Sequence, residues 1–123
     1  MRRRAGTKRK GLTMIEETIK KIESRIRSAD SISGSSRTEL LQLVSTLQSE
    51  ITDLSRTRAE HAESIAGFID RSTHEATRRE RNPELLRLSL AGLAESVKGF
   101  EESHPRLVSQ VNYICTMLAN AGI

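Results

Sequence analysis

Ser103 and His104, with Glu101 and Glu102 just before them, are the residues whose types could carry out acyl transfer: a hydroxyl to attack, an imidazole to take its proton and a carboxylate to orient the ring. Their spacing argues against it. Consecutive side chains at a helix junction point in different directions, and the string has neither a glycine elbow nor an oxyanion donor beside it. The role these types fill at such a place is structural, with Ser103 and His104 capping a helix that Pro105 begins. Cys115 lies eleven positions after His104, about 16 Å along a continuous helix at 1.5 Å per residue, too far for a thiol–imidazole pair. It reads as a thiol packed like a small hydrophobe. His61 and His74 are thirteen apart and lack the i, i+4 spacing with which two imidazoles on one helix share a zinc ion. No Gly-rich segment is followed by Lys-Ser or Lys-Thr, as a phosphate loop requires. The residues predict no enzyme, no cofactor and no metal.

One cluster has a direct physical partner. Arg2, Arg3, Arg4, Lys8, Arg9 and Lys10 are six of the 20 basic residues, so the net charge of +4 is uneven, and residues 14–123 carry 14 basic against 16 acidic groups. Such an arm gains affinity for polyanions through phosphate neutralisation, although no aromatic residue interleaves the arginines for base stacking. Six like charges with two glycines predict a disordered tail over 1–13, ahead of one domain over 14–123. The single cysteine suits a reducing compartment, and no apolar run nears the roughly 20 residues of a membrane span, so the expected address is the cytoplasm, with no membrane association.

The elements that position these residues are helical. Trp is absent, Phe and Tyr total three, and Leu, Glu, Arg, Ser and Ala dominate, a composition typical of helical bundles and coiled coils. Ile15, Ile19, Ile22 and Ile26 step by 4, 3 and 4 and predict a helix over 14–28, after the capping-box pair Thr13 and Glu16. Ser36 and Glu39 repeat that box, and Leu40, Val44, Leu47, Ile51 and Leu54 follow at 4, 3, 4 and 3. Arg58 then stands where an apolar residue is due, before Ala62, Ile65 and Ile69 resume the stripe. With no proline between Thr38 and Arg81, the pattern predicts one long coiled-coil-like helix over 37–74. Asn82 and Pro83 form a cap and first-turn pair for a helix over 83–102, on which Leu86, Leu90, Leu93, Val97 and Phe100 make the stripe and Leu85 and Leu88 widen it. Leu107, Val111, Ile114 and Leu118 define the last helix, over 105–121, which Gly122 ends.

The string Phe-Glu-x-Ser-His-Pro-x-Leu from Phe100, followed by Ile114 and Leu118 and closed by Gly122-Ile123, resembles the small bacterial family filed as domain of unknown function 4404. The likeness is strongest over 93–123 and weaker over 14–54, with 55–82 reading as an insertion. It implies an all-helical protein and assigns no catalytic or binding residue.

The fold expected is therefore all-α, with four amphipathic helices in hairpins or a bundle. A fifteen-residue first helix cannot cover a stripe that continues to Ile69, which predicts an antiparallel homodimer of long helices meeting through Leu54, Arg58, Ile65, Phe68 and Ile69. The functional expectation is a small interaction or scaffold protein that pairs with itself or with another helical protein. The alternative is a nucleic-acid accessory protein using the basic arm.

Overall fold

Ile15, Ile19, Ile22 and Ile26 form a sealed stripe, none of them more than 2% exposed. They lie on α1 (Arg2–Ser28) of the computed structural model, which describes residues 2–121, with side chains from Met14 onward. Four helices follow: α2 (Gly34–Ser55), α3 (Ala59–Thr77), α4 (Pro83–Ser96) and α5 (Pro105–Ala121). The class is all-α, and among the described residues every regular element is a helix. The expected boundary at residue 13 is not an element boundary, because α1 begins at Arg2 and no proline interrupts its 27 residues. The side-chain positions of Arg2, Arg3, Arg4, Lys8, Arg9 and Lys10 lie outside the described residues, as does Gly122.

The long second helix does not form. The chain breaks at Arg56–Arg58, where the Leu54 carbonyl collects the amides of Thr57 and Arg58 at 3.1 and 2.8 Å and the last turn of α2 tightens. Arg58, at φ −136° and ψ 66°, leaves the helical region to become the N-cap of α3. Packing explains the break: a straight helix would carry Ile65 and Ile69 away from the other stripes, whereas a hairpin buries both to 1% exposure or less. Arg58 is exposed at the corner, and Leu54, expected at an interface between copies, is fully buried within one chain.

α3 is the central element, packing against all four other helices. Ala62 and Ala66 keep part of its surface small, and Ile65, Ile69 and Ala76 complete its buried face. α1 also packs on α2, and α5 lies against α2, α3 and α4. Gly92 of α4 supports the ring of Phe68 from α3: a methyl group built at Gly92 would stand 2.5 Å from Phe68 Cε1. Gly67 stays inside α3, on an exposed side with no atom near its missing methyl.

The turn between α1 and α2 is closed by one side chain. Arg37 Nε donates to the Ile26 carbonyl at 3.2 Å, while Nη2 donates to the carbonyls of Ala29 and of Ile32, the latter at 2.9 Å. α2 is capped by Ser33, whose hydroxyl accepts the Ser36 amide at 3.3 Å, so the helix starts three residues before the expected Ser36 cap. Asn82 caps α4, its side-chain oxygen accepting the Leu85 amide at 3.1 Å, and Pro83 occupies the first turn.

Candidate functional site

The corner between α4 and α5 gathers the residues with the clearest chemical potential. α4 ends at Ser96 and not near Glu102: the Val97 and Lys98 amides donate to the carbonyls three residues back, at 3.4 and 3.1 Å, and Gly99 then takes φ +95°, a left-handed conformation open to glycine at little cost. Glu101 Oε1 accepts the Gly99 amide at 2.9 Å and holds that turn. Phe100 points inward, 7% exposed, with the His61 ring edge-on at 5.5 Å and the His104 ring at 6.0 Å. The His104 amide donates back to the Phe100 carbonyl at 2.8 Å, and Pro105 then opens α5. In this way the Phe-Glu-x-Ser-His-Pro string builds a bend. Gly99→Ala is expected to cost about 1–2 kcal/mol in denaturant unfolding, because alanine is strained at positive φ. Pro105→Ala should cost less than about 1 kcal/mol, since the bend is already set by Gly99 and a first-turn proline gives up no needed amide.

Ser103, His104 and Asp53 also stand in the order of a proton relay. The Ser103 hydroxyl is 3.0 Å from His104 Nδ1, and His104 Nε2 is 3.7 Å from an Asp53 carboxylate oxygen. Asp53 is 67% exposed, so solvent screens its charge and the ring is not locked as a buried carboxylate would lock it. Asp53 also lines an open polar groove with Gln48, Ser49, Thr52 and Arg56. The bend before α5 therefore meets α3 through the Phe100 and His61 rings and α2 through His104 and Asp53.

The remaining candidates part company. His61 is exposed against Phe100, whereas His74 accepts a hydrogen bond through Nδ1 from Arg25 Nη1 at 3.0 Å. Arg25 Nε also pairs with Asp70 at 3.0 Å, which fastens α1 to α3 across 45 residues. Glu75, 3% exposed, pairs with Arg78 at 2.9 Å and Arg71 at 3.8 Å. Cys115 is half-buried, its thiol facing the Leu90 carbonyl at 4.0 Å, and burial pushes the thiol pKa up, away from nucleophilic reactivity. Tyr113 donates to Glu39 and ties α5 to α2, which raises the phenol pKa.

Leu85 and Leu88, expected to widen the apolar stripe of α4, lie outside its buried face. Leu85 and Leu88 are 41% and 51% exposed, and Phe68 beside Gly92 is 38% exposed. Two ion pairs flank this apolar strip, Glu84 with Arg87 at 2.5 Å and Glu95 with Lys98 at 3.2 Å. Hydrogen bonding and charge from Arg87 hold the Glu84 carboxyl below the usual range.

These features define an all-helical domain with an open apolar strip on α4 and an aromatic bend before α5. The model for Domain of unknown function (DUF4404) matches residues 37–123, more than half of the chain, and the protein belongs to that family. The match begins at Arg37, leaving α1 outside it, and takes in 55–82, the segment expected as an insertion. No curated protein and no solved structure matches the chain. No helix among the described residues is long and apolar enough to cross a membrane.

Proposed function

We propose that this protein is a non-catalytic helical interaction module whose working surface is the outer side of α4 together with Phe68 of α3. The observation that carries this reading is where the exposed apolar surface lies. The stripes of all five helices are buried within one chain, yet Leu85, Leu88 and Phe68, three of the five large apolar side chains exposed among the described residues, belong to the paired helices α3 and α4. Apolar surface kept in the open beside charged residues is characteristic of a surface that meets another protein. A photo-crosslinking amino acid at Leu88, compared with one at the exposed Glu17 of α1, tests it in the native cell. A discrete crosslinked protein from position 88 and none from position 17 is the expected result. No product from either would overturn the proposal.

A second reading rests on the charge distribution: six basic residues within positions 1–10 make an arm for an RNA or DNA backbone. Salt-sensitive, sequence-indifferent oligonucleotide binding by the full chain, lost when the chain starts at Met14, would support it. Equal retention by both would overturn it.

A further inference from the structure

The charges around the α4 strip specify what covers it. Glu84, Leu88, Ala91 and Glu95 step by 4, 3 and 4 and are exposed on the side of α4 facing away from the core, and Lys98, exposed in the turn just after the helix, pairs with Glu95 at their end. Arg87 and Ala94 border them, also exposed. The acid precedes the base in both ion pairs, three residues apart, so the order along the chain from α4 into the turn after it is minus, plus, minus, plus.

A second α4 laid antiparallel, with the two-fold axis at Ala91, brings Glu84 opposite the partner's Lys98 and Arg87 opposite the partner's Glu95. Leu88 meets the partner's Ala94, and the small Ala91 faces its own copy, which lets the backbones approach. Both facing charge pairs are of opposite sign. Other arrangements lose this match: a slip of one turn in one direction sets Glu84 against the partner's Glu95, a slip in the other sets Arg87 against the partner's Lys98, and a parallel pairing in register sets each charge against its own kind. Like charges brought together disfavour the wrong register, as in coiled coils. One short surface that is complementary to itself under a two-fold rotation is the requirement for a closed dimer.

We infer that the occupant of the α4 strip is a second copy of this chain, paired antiparallel about Ala91. This rests on the α4 strip being an interaction surface and names its partner. It differs from the dimer expected from the sequence, because Leu54, Ile65 and Ile69 are core residues and Arg58 lies at a bend. Phe68 alone of that set adjoins the strip, through Gly92. A single short helix pairing is small, so the association is weak and rises with concentration.

The test is sedimentation equilibrium on the full chain, from micromolar to near-millimolar concentration, with helicity checked by circular dichroism. The parent should pass from monomer to dimer. A copy with an all-positive strip (Glu84→Lys with Glu95→Lys) and a copy with an all-negative strip (Arg87→Glu with Lys98→Glu) should each be monomeric alone, and their equimolar mixture should dimerise at least tenfold more strongly than either. In a Cys115→Ser background, Ala91→Cys should form a disulfide dimer on oxidation and Leu88→Cys should not, since only position 91 meets itself. A helical parent that stays monomeric throughout, or charge variants that dimerise as the parent does, would overturn the inference. If position 88 crosslinks only to a different protein, self-pairing fails while the interaction module stands.

Discussion

Replacing Arg37 by alanine is expected to lower the stability of the whole protein by about 2–4 kcal/mol, since hydrogen bonds from a charged donor contribute roughly 1.5–3 kcal/mol each and the three here are not additive. The guanidinium donates to the carbonyls of Ile26, Ala29 and Ile32, at the end of α1 and in the turn after it. Ile26, Ala29 and Ile32 are themselves buried, so carbonyls abandoned there find water with difficulty. Arg37→Lys should recover only part of the loss, because an ammonium cannot present donors along two edges of a plane. Thermal and urea unfolding are the measurements. An Arg37→Ala protein that melts within a degree or two of the parent would show that solvent satisfies the turn.

Ile69→Ala should cost about 2–5 kcal/mol, the range for removing a buried aliphatic side chain, and by the same amount at every protein concentration. Ile69 is 1% exposed within one chain, facing a core shared by the helices that surround α3. Had α2 and α3 formed one continuous helix, this residue would sit between copies and its loss would weaken assembly. Urea titrations at two well-separated concentrations distinguish the cases. A midpoint that falls in the variant only at high concentration would place Ile69 between copies.

The apolar stripes were legible in the sequence because helical periodicity leaves little choice: Ile15 to Ile26, Leu40 to Leu54, Leu93 to Phe100 and Leu107 to Leu118 are buried where their spacing put them. The fold-back at 56–58 was not. It has neither proline nor glycine, and its one trace was Arg58 standing where an apolar residue was due. Gly99 does not stand out in the sequence because a stripe continuing through Val97 to Phe100 looks helical, and both residues are in fact buried after α4 has ended. Leu85 and Leu88 fit the edge of a helical face, yet which edge a neighbour covers depends on tertiary packing. The polar clamps were beyond reach for a simpler reason: Arg25 and Asp70, or Tyr113 and Glu39, are too distant in sequence for any local pattern to pair them.

The placement of α3 at the centre also sets an order of events during synthesis. α1 leaves the ribosome ahead of α2, but α3, against which it packs, emerges only after all of α2. At about 5–20 residues per second, the interval between Ile26 and Ile69 is roughly 2–9 s. During that time the isoleucine stripe of α1 has only α2 to shelter it. A nascent chain that has emerged only as far as Ser55 therefore presents an incomplete, adhesive hairpin, and one that has emerged past Thr77 already holds the centre of its core.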